Sequence, residues 1–269
     1  MSSKFIVGPK VHSCCLTIAG SDSGGNAGFQ ADLRAFHAYK LHGCTVVTAL
    51  TAQNPNGVYG INEIAADFVA AQLDAVLGTY SIAALKTGML GSASIVEAVA
   101  GRLKAYPTIA KVIDPVMVAT SGATLAGGAT RKAMERLLFP LATLITPNIP
   151  EAEELSGRSI KSLQDIRDAA ISLYDKFGAA VLIKGGHATR NISAAEDVLF
   201  DGRDYSPFSL SRIENPISTH GTGCTLSAAI AAELALNHNL KDAIKGAKEY
   251  VYQAILNSYL VGSDCGVLR

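Results

Sequence analysis

The five cysteines of this chain include no C-x-x-C pair, Cys14 and Cys15 are adjacent, and the six histidines show no metal-ligand spacing. Neither a zinc site nor a disulfide framework is expected, and the cysteines read as reduced thiols, four of them structural. Net charge is also missing: 23 Lys and Arg balance 23 Asp and Glu, which leaves no electrostatic footprint for nucleic acid or an anionic membrane. No apolar run approaches the roughly 20 residues of a membrane span. The opening MSSKFIVGPKVHS lacks the apolar region of about 7 to 15 residues that marks a secretory signal. These exclusions favour a cytosolic protein with a small-molecule partner. There is no Gly-Lys dipeptide, hence no P-loop, and the glycine-rich GSDSGGNAGFQADL (20–33) does not keep the G-x-G-x-x-G spacing. A nicotinamide-dependent dehydrogenase is disfavoured, and nucleotide binding by another loop stays open. Internal repeats, charge blocks and Pro/Gly/Ser-rich linkers are absent too.

What is present is a chain of 269 residues, 49% hydrophobic and 17% charged, enough to bury the core of one α/β domain. Short β-rich runs predict strands over 14–20, 44–50, 83–88, 111–115, 143–147 and 180–186. Amphipathic stretches predict helices over about 27–40, 66–78, 92–105, 130–138, 162–177, 223–236 and 240–258. DVLFDGRDYSPF (197–208), with Asp201-Gly202 at its centre, predicts a late antiparallel hairpin. The alternation is that of a doubly wound, mostly parallel sheet with helices on both faces.

Polar residues follow each apolar run: Ser21-Asp22, Thr51-Ala52-Gln53, Lys86 and Met89, Asp114, Asn148 and Glu151, and Lys184. In a doubly wound sheet these positions share the edge where ligands bind, so groups far apart in sequence are expected to converge on one site.

Several motifs carry two readings each. In ISTHGTGCTLSAAIAAEL (217–234) a glycine turn meets a helix whose free N–H groups and dipole suit a phosphate, with Gly221 and Gly223 allowing close approach. Cys224 is either a small apolar residue of the first turn or a thiol acidified by the helix end. Asp22 is a ligand for a ring nitrogen or hydroxyl, or else a cap or turn former. Asn148 and Glu151 suit Mg²⁺, or form a capping arrangement before a helix. Lys184 in LIKGGH is a point charge for phosphate. Asp114 precedes a Ser/Thr/Gly segment read as a lid, and His220 is read as support for the glycine turn.

Taken in order, GSDSGGNAGFQADL, TALTAQN, KTGML, DPVMV, TPNIPEAE, IKGGH and THGTGCTLSAAIAA resemble the hydroxymethylpyrimidine and phosphomethylpyrimidine kinases of thiamine biosynthesis, in the ribokinase-like superfamily. The resemblance runs from about residue 14 to the end. It implies a ribokinase-like α/β fold over 13–269 after a flexible leader at 1–12, and a homodimer. It implies ATP and Mg²⁺ and two successive phosphorylations, of 4-amino-5-hydroxymethyl-2-methylpyrimidine and of its monophosphate. Carried over by position, Asp22 and Gln53 bind the pyrimidine with Met89 and Val116 lining its pocket. Asp114 and Glu151 serve the metal and water shell, while Asn148 and Lys184 face the nucleotide phosphates. Gly221, Thr222, Gly223 and Cys224 form the anion hole, with Cys224 as general base.

Two positions depart from the family pattern. Asn26 stands where glycine is usual, read as a tolerated left-handed residue, and Thr87 stands where isoleucine is common. Pyridoxal kinase is the alternative activity; the segment ATSGATL lacks the lid cysteine often found in such enzymes, which favours the pyrimidine. A non-catalytic sensor would be expected to have lost some of Cys224, Lys184 or Asp114, and all three are present.

Overall fold

The computed structural model describes residues 12–117, 125–185, 194–262 and 265–269. Nearly all of the expected leader and most of the proposed lid, residues 118–124, lie outside the described residues.

In chain order the strands are β1 (Cys14–Ala19), β2 (His42–Val47), β3 (Ala49–Asn54), β4 (Gly57–Glu63), β5 (Ile82–Thr87), β6 (Ala110–Ile113), β7 (Leu144–Ile145), β8 (Ala180–Ile183), β9 (Ala194–Phe200), β10 (Tyr205–Ser211), β11 (Tyr259–Val261) and β12 (Cys265–Val267). The helices are α1 (Gly28–Ala38), α2 (Ala66–Leu77), α3 (Ala93–Leu103), α4 (Gly128–Ala133), α5 (Ile149–Ser156), α6 (Leu163–Phe177), α7 (Thr222–Ala235) and α8 (Leu240–Leu256). Eight strands form one sheet in the order β10-β9-β8-β7-β6-β5-β1-β2. From β8 to β2 the pairs are parallel, and β9 and β10 add an antiparallel edge. The β9–β10 hairpin is the one expected, with Asp201 accepting from the N–H groups of Arg203 and Asp204 in its turn.

Strand β1 pairs with β2 on one side and β5 on the other. The chain therefore reverses its direction of winding at β1, and a crevice opens beyond the carboxyl ends of β1 and β5. Apolar residues on one sheet face pack against α2, α3, α5 and α6, and those on the other against α1, α7 and α8. Helix α7 is buried nearly all round, as a central helix of small and apolar residues should be.

The structure corrects three sequence-based expectations of the fold. The run 44–50 is two strands, because Thr48 turns the chain: its N–H donates to the Ala19 carbonyl and its hydroxyl to that of Met89. Strand β3 leaves the main sheet to pair with β4 across Pro55-Asn56. Helix α5 lies outside the expected helix ranges, although the capping reading of Asn148 and Glu151 implies it; it forms on a complete capping box in which Glu151 N–H donates to Asn148 Oδ1 and Asn148 N–H to Glu151 Oε2, with Gly157 left-handed at the far end. Asn26 is not among the left-handed residues of the described chain; Gly25, at φ 78°, takes that conformation.

Candidate active site

The crevice at the β1/β5 switch point holds a cavity of about 490 Å³. Every residue expected at the site lines it except Thr222, whose hydroxyl donates back to the Thr219 carbonyl at 2.9 Å. The groups arrive from seven different elements. Asp22 follows β1, Gln53 ends β3 next to the turn, Met89 follows β5, and Asp114 and Val116 follow β6. Asn148 and Glu151 open α5, Lys184 follows β8, and Gly221, Gly223 and Cys224 open α7.

At α7 the N-cap residue Gly221 has φ 84°, and a Cβ there would stand 2.0 Å from the Asn26 carbonyl oxygen. Only glycine fits this junction of the two glycine-rich loops. No side chain caps the helix, and the N–H groups of Gly223 and Cys224 have no hydrogen-bond partner among the described residues. With the positive end of the helix dipole behind them, they are of the kind that suits an anion, and they face the cavity.

Asp114, nearly fully buried, accepts from Thr146 Oγ1 at 3.1 Å and Lys184 Nζ at 2.8 Å on one oxygen, and from Ser227 Oγ at 3.2 Å on the other. Burial works against the Lys184 ammonium, but Asp114 and Glu151 outweigh it and hold the lysine above its ordinary range. Burial pushes the Glu151 carboxyl up to about 7; Lys184 opposes this and Asp114 adds to it. The two readings of Asn148 and Glu151 are compatible, since they cap α5 and also line the cavity.

Asp22 acts as a loop former in this structure. Its carboxylate accepts from Gly24, Asn26 and Ala27 N–H at 2.8–3.0 Å. Burial works against the charged form, and His220 with these N–H groups outweighs it, lowering the acid below its usual range. Gln53 differs: its Oε1 accepts from Thr51 Oγ1 at 3.2 Å, and its amide nitrogen has no partner among the described residues.

Of the two readings of Cys224, the surroundings of the sulfur oppose the acidified thiol. Burial pushes Cys224 up; Lys86 pulls it back, the carboxylates of Asp32 and Asp114 add to the rise, and Gly28 N–H opposes it. Burial together with the two carboxylates outweighs the pull of Lys86 and the Gly28 N–H. Cys224 nevertheless stands at the wall with Asp114 and Lys184, so it does not serve packing alone.

Three features escaped the assignment of site residues. Lys86, fully buried beside the cavity, donates to both oxygens of Asp32 at 2.9 Å, and Asp32 also accepts from Thr17 Oγ1. A lysine inside an apolar strand run was its signal. His220 Nε2 is buried without a hydrogen-bond partner among the described residues, 3.7 Å from Asp22. Gly266 brings the C-terminal β11–β12 hairpin to the cavity, for which the sequence carried no clear sign.

With this geometry in view, comparison with known proteins is decisive: the model of the family described as phosphomethylpyrimidine kinase matches residues 22–269. The chain belongs to that family. The hydroxymethylpyrimidine/phosphomethylpyrimidine kinase of Synechococcus elongatus is 47% identical over 253 residues, covering 94% of this chain and 95% of the relative. The thiamine biosynthesis bifunctional protein ThiED of Geobacter sulfurreducens is also 47% identical, over 93% of this chain, which spans only 51% of that longer relative. Among solved structures, an ADP complex of Bacillus subtilis pyridoxal kinase superposes with a TM-score of 0.87 at 38% identity, covering 96% of this chain and 97% of that one. The fold of this phosphomethylpyrimidine kinase family member is thus the expected ribokinase-like α/β type.

Proposed function

We propose that this chain transfers the terminal phosphoryl group of ATP to 4-amino-5-hydroxymethyl-2-methylpyrimidine and then to its monophosphate, giving the diphosphate used in thiamine biosynthesis. Membership of a kinase family supports the reaction class. The observation that carries the reading to these residues is the convergence of the free α7 N–H groups, Lys184 and Asp114 with Gln53 and Met89 in one cavity.

Phosphoryl transfer depends chiefly on positioning and on neutralising charge at the equatorial oxygens. The amides of Gly223 and Cys224 and the ammonium of Lys184 are placed to do both. The Gln53 amide nitrogen offers a donor to a ring nitrogen. Met89 and Val116 supply apolar wall, and Asp22 shapes the loop against which the ring lies.

Asp114 and Glu151 offer only oxygen donors, and no group of three or more His, Cys, Asp or Glu suited to a metal occurs among the described residues. That set fits Mg²⁺, which takes few protein ligands and keeps its water. Held there, Mg²⁺ would neutralise charge on the phosphates. Cys224 is assigned to the acceptor alcohol, where its sulfur in the ionised form takes up the proton in the first phosphorylation and becomes the neutral thiol. In the second step the attacking phosphate oxygen already carries charge, so the thiol has little to remove.

Incubation with ATP and the pyrimidine alcohol, resolved by mass, tests the reading: mono- and then diphosphate are expected, and no ATP-dependent product would sink it. Pyridoxal is run beside it because the solved pyridoxal kinase shares the fold; faster turnover of pyridoxal would make that the activity. The same reading places the enzyme in the cytosol as a homodimer. Its five free cysteines fit a reducing compartment, and exposed Leu50, Tyr59 and Ile61 on the β3–β4 hairpin offer apolar surface to a second copy. No helix among the described residues is long and apolar enough to cross a membrane.

A further inference from the structure

Strands β8 and β9 pair from Val181↔Phe200 to Ile183↔Val198, and there the ladder stops. The next residue, Lys184, turns to the other side: it bridges to Asn148, and its N–H donates to the Pro147 carbonyl at 2.8 Å. The Gly185 N–H is left buried beyond the ladder, where an unpaired donor is costly. Asp197 on β9 captures it, accepting at 2.9 Å on Oδ1, while Oδ2 accepts from Lys248 Nζ on α8. Asp197 is 5% exposed. A Cβ on Gly185 would stand 1.9 Å from the Glu196 carbonyl oxygen, so the two backbones meet too closely for any other residue.

A buried ion pair is weak evidence of a gain in stability, and ordinary strand pairing would have satisfied this N–H without one. What the construction does achieve is to fix the peptide directly after Lys184. We propose that Asp197, backed by Lys248, is a positioning residue for nucleotide binding: it locks the Lys184–Gly185 peptide and so sets where the Lys184 ammonium meets the ATP phosphates. The inference rests on the reading of Lys184 as a phosphate contact. Neither Asp197 nor Lys248 lines the cavity, so both act only through the strand end. A displacement of about 1 Å at a charged contact is enough to cost roughly 10²-fold in a well-placed site.

The test is calorimetric titration with Mg-ATP, without any acceptor alcohol, so that the outcome does not depend on which alcohol is phosphorylated. Asp197→Asn is expected to weaken ATP about tenfold, because an amide leaves one acceptor oxygen for the two donors Gly185 N–H and Lys248 Nζ, and Lys248→Met by less, because the Asp197 bond to Gly185 survives it. In a Lys184→Met background the Asp197→Asn effect should largely vanish, since both changes act on one contact. A purely structural role would instead add undiminished. ATP affinity within about twofold of wild type in Asp197→Asn, or an effect that persists in full in the double variant, overturns the inference. Unchanged affinity in Lys184→Met alone overturns the reading of Lys184 itself, and the inference with it. If Asp197→Asn does not fold, Lys248→Met alone and above Lys184→Met gives the same comparison.

Discussion

Two lysines at the carboxyl ends of strands in one sheet each meet a carboxylate, Lys86 with Asp32 at 2.9 Å and Lys184 with Asp114 at 2.8 Å. The first pair is fully sealed: both side chains are 0% exposed, and the ammonium has no hydrogen-bond partner other than Asp32 among the described residues. The second is open, with the Lys184 side chain 15% exposed to the cavity and its carboxylate also held by Thr146 and Ser227. Asp114 can therefore release Lys184 to a phosphate and keep two donors. Asp32 would keep only Thr17 among the described residues, with both side chains of the pair fully buried. On the proposed function, chemically alike pairs divide the work, one as fixed charge beneath the site and one as an adaptable contact within it.

The comparison breaks most visibly at the sealed pair. Lys86→Met strands a buried carboxylate and should cost about 3–5 kcal/mol in denaturant unfolding, while Lys86→Met with Asp32→Leu should recover much of it. Lys184→Met should cost only about 1–2 kcal/mol of stability, since Asp114 keeps its hydroxyl donors, yet lower kcat/KM by about 10²- to 10³-fold. Equal stability losses in the two single variants would erase the distinction.

Cys224 sharpens the contrast, because the fixed charge of Lys86 acts upon it. Cys224→Ala should slow the first phosphorylation about 10²-fold and the second by less than about threefold, read from separate mono- and diphosphate rates. Equal losses would point to a steric role. The raised thiol is an acid whose charged form grows only as pH climbs. The first step should therefore keep accelerating through about pH 8.5, an ordinary thiol value, rather than level off below it. The smallest effect is expected at Thr87, whose hydroxyl is buried beside Lys86 in sequence and has no partner among the described residues. Thr87→Val should raise stability by about 1 kcal/mol in the same unfolding assay.

Much of this was legible in the chain. The alternation of strand and helix runs gave the doubly wound sheet, and the rule that ligands gather beyond strand ends brought Asp22, Asp114 and Lys184 to one edge. Local signals that compete were harder to read. Asn148 and Glu151 were open to two readings because a capping box and an oxygen ligand set use the same residues at the same spacing. The break at Thr48 was hidden because its hydrogen bonds go to Ala19 and Met89, distant in sequence. The two readings of the thiol at 224 stayed open for the same reason: the burial that opposes its ionisation, and the carboxylates of Asp32 and Asp114 that add to it, arise only through the fold. The Asp197 bond to Gly185 was invisible because a hairpin pattern reports the pairing of strands, and not the place where pairing fails.

The most direct test of the account is the Mg-ATP affinity of Lys184→Met measured beside its thermal unfolding. The account predicts at least about a tenfold weaker nucleotide with the fold largely retained. Undiminished ATP affinity, or a collapse in stability matching that of Lys86→Met, would contradict it.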